Sequence, residues 1–484
     1  MVFSSHLFLF YFLPVALAAY YALPARGRVV ALTLLSYVFY DWANPLFIVL
    51  MLTSTLIDYA MALVITGGKP GLGTTTVLPE GQPRSVRQKR ALMASVFSNL
   101  ALLGFFKYFN FATENYDAVV NAIGLPGLSL DLAFAVTLPL GISFYTFQSM
   151  SYTIDVYRGH APAQRRFLDF ACYVSMFPQL VAGPIIRYAE VATQINHRTH
   201  TLTKFARGVS FFAVGMGKKI LLANPCGKVA DLAFDAGSLD FVSAWTGAVA
   251  YAFQIYFDFS AYSDMAIGLG LMLGFVFAKN FDSPYRSQSI TEFWRRWHIS
   301  LSSWLRDYLY IPLGGSRKGP LRTYVNLALV MLLGGLWHGA SWNFMVWGAI
   351  HGGMLVLERL GGGPDRVYRW MPPVLRVAST FIVVLFSWVF FRAADLGSAL
   401  AYCRSMIGLS HEQPGALLLS GLFAQPYYVG TMLCAAVVAW GAPQTWDWTR
   451  TLTWSKAAAA MALFWLSLIV LSAQAYNPFI YFIF

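Results

Sequence analysis

A histidine at the end of an apolar segment is the residue of this chain best suited to acid–base catalysis. His338 directly follows the apolar run 323–337, and Trp337 precedes it in the sequence W-H-G-A-S-W. An ionisable residue in apolar surroundings is costly and therefore indicates a function. Neutral imidazole accepts a proton from a hydroxyl group near physiological pH, and a low dielectric favours that neutral form. His338 is thus a candidate general base, although a histidine that only packs is the commoner interpretation of such a residue by itself.

A second unusual region, 279–322, combines basic and aromatic residues. It holds eight Lys or Arg residues against three acidic ones. Ser289 and Glu292 have the spacing of a capping box, which predicts a helix that begins near Ile290. Aromatic residues then recur at roughly helical spacing, so we predict one amphipathic helix at the membrane–water boundary. Its apolar face would carry Phe293, Trp297, Trp304 and Tyr308.

The arginines of this region have two interpretations. Arg295, Arg296 and Arg306 lie on other faces of the predicted helix. In the first interpretation the helix only anchors the protein at the membrane surface. In the second, the arginines form a cytoplasmic platform for a polyanionic ligand, because guanidinium groups bind phosphate oxygens two at a time. Pro312 and Gly314 predict a turn that ends the helix.

The composition predicts an all-α polytopic integral membrane protein. Of the 484 residues, 57% are hydrophobic and only 12% are charged, so lipid must cover much of the surface. We predict roughly eleven to thirteen membrane helices with additional interfacial or re-entrant helices, in a single domain over 1–484. The apolar segments are 6–23, 29–41, 45–65, 91–106, 132–153, 167–186, 208–223, 242–275, 323–337, 340–357, 374–391, 425–441 and 456–475.

Charged loops predict the orientation. The loop 66–90 carries five Lys or Arg residues against Glu80 alone, so it is predicted to be cytoplasmic. The next predicted loop holds Glu114, Asp117 and Asp131 and is therefore predicted to be external. The net charge of +12 then reflects topology and contact with anionic lipid, and no nucleic-acid partner is expected.

Other polar residues in or near apolar segments have structural interpretations beside functional ones. Asp258 and Asp264 are intramembrane acids, which predicts ion pairs with arginines or, less simply, contact with substrate. His197 and His200 lack a neighbouring cysteine or carboxylate, so we predict no metal site there. His351 is interpreted as a packing residue.

Several long motifs extend over nearly the whole chain. The longest is F-W-R-R-W-H-I-S-L-S-S-W-L-R-D-Y-L-Y-I-P-L-G-G at 293–315, and G-L-W-H-G-A-S-W follows at 335–342. Others are L-P-L-G-I-S-F-Y-T-F-Q at 138–148, F-P-Q-L-V-A-G-P-I at 177–185 and the C-terminal F-I-Y-F-I-F at 479–484. Together these motifs resemble the membrane-bound O-acyltransferase (MBOAT) superfamily, in particular the bacterial branch around the membrane subunit of alginate O-acetyltransferase.

The resemblance implies a helical membrane fold with a central tunnel and an acyltransferase activity. The superfamily is marked by two polar positions, which map onto His298 and His338. His338, in the predicted helices 323–357, would be the general base toward the acceptor hydroxyl. His298 would orient the acyl group. Asp307 would help the neighbouring arginines and Trp337 to shape the donor site.

For this branch the resemblance implies acetyl-CoA as the donor substrate, with no bound cofactor. The product would be an O-acetylated extracytoplasmic polysaccharide, such as alginate or cellulose. The polymer would be reached indirectly, through periplasmic acetyltransferases of the SGNH type. The implied location is the bacterial inner membrane, in contact with its lipids. Alternatives remain open: D-alanyl or lipid acyl transfer within the same superfamily, and a non-catalytic acyl transporter or scaffold.

Overall fold

Helices make up the regular structure of the chain. The computed structural model describes residues 2–42, 45–236, 239–410 and 416–479. Within these ranges there is no β-sheet, and one isolated antiparallel bridge joins Thr74 to Gln164. The predicted all-α class is therefore confirmed. Of the C-terminal motif at 479–484, all residues after Phe479 lie outside the described residues.

Most predicted apolar segments coincide with helices. The longer α-helices are Leu13–Ala22, Ala25–Asp41, Ile48–Thr66, Val86–Ala122, Ile142–Arg158, Leu202–Gly217, Asn224–Phe234, Phe241–Met272, Pro320–His338, Trp342–Leu360, Pro373–Arg392, Leu396–Met406, Pro426–Gly441 and Trp454–Ala473. The shorter ones are Phe167–Ser175, Phe177–Leu180, Tyr188–Asn196, Ile290–Arg296, Ile299–Leu305, Pro364–Val367, Ala416–Phe423 and Thr445–Trp448. Short 3₁₀-helices are Pro126–Leu128 and Pro284–Arg286. Segments of π-helix are Phe8–Phe12, Lys218–Ala223 and Arg306–Tyr310.

Several of these helices are long and apolar enough to cross a membrane. Among the described residues they are Ile48–Thr66, Val86–Ala122, Pro320–His338, Pro373–Arg392 and Trp454–Ala473. The multi-pass membrane class is confirmed. The larger predicted number of spans stays a prediction, because several predicted segments are short or interrupted helices that length and composition alone do not identify.

Two predicted boundaries were wrong. The Val86–Ala122 helix extends well past the predicted end of its segment, so Glu114 and Asp117 lie on the helix and not in a loop. No proline interrupts this sequence, and a capping box at its first residues fixes its start. Segment 132–153 becomes helical only at Ile142, after Gly141 in a left-handed conformation with φ +73°.

The predicted basic loop lies between two helices. The Ile48–Thr66 helix ends at Gly67, whose left-handed conformation (φ +68°) is one that glycine adopts without strain. The next helix begins at Val86, so the non-helical residues fall inside the predicted loop 66–90. The loop is confirmed over 67–85, whereas Arg87, Lys89 and Arg90 lie on the helix that begins at Val86. Its cytoplasmic placement stays a prediction.

The chain forms two compact units. The first comprises Met1–Phe205 and Leu269–Phe277, and the second comprises Ala206–Gly268 and Ala278–Phe484. The single membrane domain over 1–484 stays a prediction.

A buried carboxylate joins three helices of the first unit. Asp58 is fully buried and accepts hydrogen bonds from Ser95 Oγ at 2.5 Å, from Asn99 Nδ2 at 2.8 Å and from Ser149 Oγ. Ser54 Oγ in turn donates to Asn99 Oδ1 at 3.0 Å. Because water is absent from an apolar interior, these polar groups must satisfy one another. The cluster therefore fixes the relative position of the three helices.

Buried ion pairs occur in the second unit. Lys219 Nζ lies 2.8 Å from Asp258 Oδ1, and Lys218 Nζ lies 2.7 Å from Asp264 Oδ2. Thr445 Oγ1 also donates to Asp264 at 2.6 Å. The predicted ion pairs of the two intramembrane acids are confirmed. The partners are lysines, however, and not arginines, because adjacent lysines at the end of a neighbouring helix reach both carboxylates.

We expect Asp58→Ala to destabilise the protein. The substitution removes the acceptor shared by Ser95, Asn99 and Ser149, and we expect a loss of about 2 kcal/mol in the free energy of unfolding. Thermal unfolding of the purified protein in detergent measures it. Thr53→Ala is the control, because Thr53 is exposed and bonds only to the Val49 carbonyl of its own helix. Equal melting temperatures for the two variants would contradict the role given to Asp58.

Candidate active site

The predicted amphipathic helix is interrupted at His298. The first helix is Ile290–Arg296 and the next is Ile299–Leu305. His298 lies between them with φ +44°, a left-handed conformation that costs a non-glycine residue about 1–2 kcal/mol. The prediction of one continuous helix was therefore wrong. Side-chain periodicity does not reveal a break that tertiary contacts impose on one residue.

The start of this region agrees with the sequence in part. Ser289 caps the first helix, because its Oγ accepts the Glu292 N–H at 3.0 Å. The Glu292 carboxylate accepts the backbone N–H of Gln288 at 2.8 Å, and not that of Ser289. The predicted cap is confirmed, and the reciprocal half of the capping box is shifted by one residue. The predicted turn is also confirmed, since Gly314 has φ +110°.

Asn280 holds the chain at this break. Its Oδ1 accepts the Ser300 N–H at 3.1 Å and the Ser300 Oγ–H at 2.9 Å. Its backbone carbonyl accepts the Ile299 N–H at 2.9 Å. Its Nδ2 donates to Ser263 Oγ at 2.8 Å. Because a backbone N–H can only donate, the bond from Ser300 fixes which amide atom of Asn280 is the oxygen.

The His298 ring is held in one protonation form. It is fully buried, and its Nδ1 lies 3.3 Å from Asn280 Oδ1. Because that oxygen is an acceptor, Nδ1 carries the proton and Nε2 presents a lone pair. Burial lowers the pKa of His298 to about 3, so the ring is neutral at physiological pH. Among the described residues, Nε2 has no hydrogen-bond partner. A buried nitrogen of this kind is suited to meet a substrate group.

His338 is the last residue of the Pro320–His338 helix, and its side chain is enclosed by aromatic rings. It is 7% exposed. The ring centroids of Trp337, Trp347 and Phe391 lie 5.0, 5.1 and 5.1 Å from that of His338. Aromatic walls keep water away and strengthen electrostatic interactions at the imidazole.

The two predicted histidines, His298 and His338, both lie beside the indole ring of Trp337. The Trp337 ring lies 5.0 Å from the His338 ring and 6.3 Å from the His298 ring, between centroids. Two buried imidazoles beside one aromatic side chain form a compact, water-poor site. Such a site fits transfer of a group that water would otherwise hydrolyse.

Close packing of two helices positions His338. A Cβ added to Gly335 would lie 2.2 Å from the Phe344 carbonyl oxygen, and one added to Gly348 would lie 2.4 Å from the Met331 carbonyl oxygen. A Cβ on Gly339 would lie 2.0 Å from the Phe344 ring. The absence of side chains at these positions lets the helix that ends at His338 pack tightly against the next helix.

His351 is bonded on both sides of its ring. Its Nδ1 accepts a hydrogen bond from Trp294 Nε1 at 3.2 Å, and its Nε2 lies 3.0 Å from Ser387 Oγ. The ring also packs 4.9 Å from that of Trp347, which contacts His338. Both nitrogens are used, which agrees with the packing interpretation. Across the described residues, no group of three His, Cys, Asp or Glu side chains is placed to hold a metal ion.

The predicted arginine platform is largely neutralised. Arg296 pairs with Glu292 at 2.8 Å, and Arg306 pairs with Asp307 at 2.6 Å. Arg295 is exposed. None of the three arginines contacts either histidine within the described residues. The structure therefore does not gather them with the histidines, and their donor-site role stays a prediction, as do those of Asp307 and Trp337.

Sequence reasoning missed the residues that support the histidines. Asn280 lies eighteen positions before His298, in a turn-rich sequence without a distinctive pattern. Trp347 and Phe391 belong to other helices and look like ordinary core residues. Only contacts between distant segments assign them to the site.

Comparison with known proteins identifies relatives along the whole chain. Residues 160–394, which include both His298 and His338, match the membrane-bound O-acyltransferase (MBOAT) family. The chain is 44% identical to the probable alginate O-acetylase of Pseudomonas putida, over 100% of both chains. It is 36% identical to the peptidoglycan O-acetyltransferase of Helicobacter pylori, over 85% of this chain and 80% of that protein. These matches confirm the resemblance carried by the motifs.

A more distant relative covers only part of the chain. The teichoic acid D-alanyltransferase of Streptococcus thermophilus is 30% identical, over 45% of this chain and 56% of its own. The chain is thus more similar to the two O-acetyltransferases, in both identity and extent.

Two adjacent glycines test the packing behind His338. We expect Gly335→Ala to destabilise the protein by about 1–3 kcal/mol, because the new Cβ would meet the backbone of the next helix. A Cβ on Gly334 would lie 3.4 Å from a Leu305 methyl group, an ordinary contact. Gly334→Ala should therefore be neutral or slightly stabilising, since alanine favours helix. Thermal unfolding of both variants in detergent measures the difference, and equal destabilisation would refute the proposed close approach.

Proposed function

The chain belongs to the membrane-bound O-acyltransferase family and is a multi-pass membrane O-acyltransferase, and from this premise we propose that it transfers acetyl groups from cytoplasmic acetyl-CoA for O-acetylation of an exopolysaccharide. Full-length similarity to alginate O-acetylases supports the acetyl group and a polysaccharide such as alginate or cellulose. The weaker, partial similarity to a D-alanyltransferase makes D-alanine a less suitable acyl group.

The pair of buried histidines beside Trp337 carries the proposal. His338 is the general base that takes the proton of the acceptor hydroxyl. The hydroxyl oxygen then attacks the thioester carbonyl, forming a C–O bond. The C–S bond breaks as the tetrahedral intermediate collapses, and the proton passes from His338 to the departing thiolate. The aromatic walls around His338 support this role, because they exclude the water that would compete as an acceptor.

His298 positions a substrate group and does not act as a base. Its Nε2 lone pair can accept a hydrogen bond from an N–H or O–H group of a substrate, and burial keeps it from taking a proton. Asn280 acts through His298, by fixing both its left-handed backbone and its Nδ1 proton. Arg295, Arg296 and Arg306 are proposed to contribute to binding the polyanionic donor, and Asp307 to position Arg306, with which it pairs.

The proposal places the protein in the bacterial inner membrane. An extracytoplasmic polymer cannot meet a cytoplasmic thioester, so the acetyl group must pass through the membrane protein. We propose that the acceptor receives it on the far side, and that periplasmic acetyltransferases of the SGNH type pass it on to the polymer. A non-catalytic transporter or scaffold would not need a histidine inside a dry aromatic enclosure.

The first test removes each histidine. We expect His338→Ala to lower acetyl-CoA consumption by about 100-fold or more, the usual contribution of a general base. His298→Ala should lower it less, by about 10-fold, because it loses orientation only. The measurement is thioester loss and transfer of radiolabelled acetyl by purified protein in nanodiscs, supplied with the periplasmic partner proteins.

A histidine outside the site is the control for this test. His160 is exposed and lies 3.9 Å from Glu80, so His160→Ala should leave the rate unchanged. Size-exclusion profiles and melting temperatures check that every variant folds. Wild-type rates for a folded His338→Ala protein would show that His338 is structural, and the transporter or scaffold interpretation would replace the enzyme.

The second test separates positioning from stability. We expect Asn280→Ala to lower turnover by about 10-fold with little change in KM for acetyl-CoA, because the His298 ring loses its fixed orientation. Asn326→Ala is the matched control, since Asn326 is also buried and bonds the Gly315 carbonyl at 3.0 Å. It should lower the melting temperature but not the turnover of folded protein. Equal turnover in the two variants would contradict a positioning role for Asn280.

A further inference from the structure

A cavity of the first unit concentrates basic side chains. Its volume is about 310 Å³, within the usual range for small-molecule sites. We call it the arginine pocket. The charged and ionisable residues that line it are Arg26, Arg28, Arg166, Arg198, His200 and Asp169.

The charges of the arginine pocket do not balance. Arg166 lies 3.7 Å from Asp169, a buried carboxylate. Arg26 and Arg28 form no ion pair with any described residue, and Arg198 shares the electrostatic influence of Asp169 with Arg166 without a close contact to it. Three guanidinium groups around one cavity repel one another unless an anion lies between them. The pocket therefore has a net positive charge that a negatively charged ligand would offset.

Neighbouring groups hold two of these arginines in place. Arg198 Nε donates to the Tyr20 hydroxyl at 2.8 Å, and the same hydroxyl lies 2.9 Å from His200 Nε2. Arg28 donates to the Leu23 carbonyl at 3.1 Å, and its guanidinium packs over the Tyr20 ring at 5.6 Å. Arginines fixed in this way lose little entropy when they bind a ligand.

The neighbouring histidine adds an acceptor and not a further charge. Burial and then the charges of Arg28 and Arg198 lower the pKa of His200. Its Nδ1 lies 3.4 Å from an Arg28 nitrogen, where a neutral ring can accept the hydrogen bond. His200 thus orients Arg28 within the pocket.

A helix begins at the same cavity. Ala25 and Arg26 line the pocket and are the first residues of the Ala25–Asp41 helix. The residue before them is Pro24, whose side chain offers no cap. The unsatisfied N–H groups and positive dipole of a helix start favour an anion, phosphate in particular. The helix start and the arginines therefore favour the same kind of ligand.

Exposed apolar residues beside the arginines indicate the source of the phosphate. Leu72 lines the pocket and is 79% exposed, and Leu23, next to the helix start, is 40% exposed. Leu72 belongs to the loop 66–90, whose basic residues predict contact with an anionic membrane surface. A ligand with both a phosphate and acyl chains suits this combination better than a free phosphate does.

We propose that the arginine pocket binds the phosphate headgroup of an anionic phospholipid. The guanidinium groups of Arg26, Arg28 and Arg198 and the start of the Ala25–Asp41 helix bind the phosphate oxygens, and Leu72 contacts the lipid chains. This site is independent of the proposed acetyl transfer, since lipid binding is measured without turnover.

The experiment measures lipid binding to the full-length protein by native mass spectrometry. Purified protein in detergent is titrated with phosphatidylglycerol, and with phosphatidylcholine as the lipid without net charge. We expect phosphatidylglycerol to bind at least about 10-fold more tightly. The double variant Arg26→Gln, Arg28→Gln should weaken its binding by about 25-fold, since each basic residue contributes about five-fold.

Matched variants guard against general effects of charge and folding. Arg87→Gln with Arg90→Gln, which we call the loop double variant, removes two exposed charges of the predicted loop 66–90 that lie on the Val86–Ala122 helix, outside the pocket, and should leave the tight site unchanged. If the pocket double variant does not fold, Arg26→Gln alone serves, because Arg26 is exposed. It should weaken binding by about five-fold.

Competition distinguishes the sources of phosphate. We expect neither inorganic phosphate nor coenzyme A to displace phosphatidylglycerol at equal concentration, because neither carries lipid chains. Equal loss of lipid binding in the pocket and loop double variants, or no loss in the pocket variants, would overturn the proposal. Binding of coenzyme A that depends on Arg26 and Arg28 while phosphatidylglycerol binding does not would also overturn it, and would assign the pocket to the donor substrate.

Discussion

The cost of burying polar groups in apolar surroundings is the constraint on which the rest of the structure depends. For Asp58, hydrogen-bond donors from two neighbouring helices offset this cost. For Asp258 and Asp264, ion pairs with two adjacent lysines offset it. Each solution joins separate helices, so the same bonds that satisfy a buried charge also fix the fold. Among the described residues, His298 Nε2 is one of several buried polar atoms without a hydrogen-bond partner, and it lies where a reaction is proposed.

The candidate active site depends on a local conformation that the neighbouring chain must stabilise. His298 adopts a left-handed backbone that its own side chain disfavours, and Asn280 and Ser300 supply the compensating hydrogen bonds. His338 is placed differently, by a helix end that packs closely through Gly335. One histidine is therefore held by hydrogen bonds and the other by packing. Both lie beside Trp337, where water is largely excluded.

The arginines of the two regions differ in whether a carboxylate balances their charge. Arg296 and Arg306 have carboxylate partners, which balance most of their charge before a donor binds. In the first unit, Arg28 and Arg198 are oriented by aromatic rings, a hydroxyl and a carbonyl group, which do not compensate their charge, and Asp169 compensates it only in part. Positioned cations without an anion are the feature that indicates a phosphate site, whereas a basic sequence motif alone does not.

The sequence by itself determined the all-α membrane class, most helical segments and the basic loop after Thr66, because hydropathy and charge act locally along the chain. It also singled out His338, whose catalytic role stays a prediction. His298 was identified as a candidate through the family resemblance of its motif. The side-chain pattern around it predicted one continuous helix, which was wrong. Only the tertiary structure decided the break at that residue and the support from Asn280. It also decided the arginine pocket, whose residues come from segments far apart in sequence. Local periodicity cannot predict such features, since they depend on which distant groups meet when the chain folds.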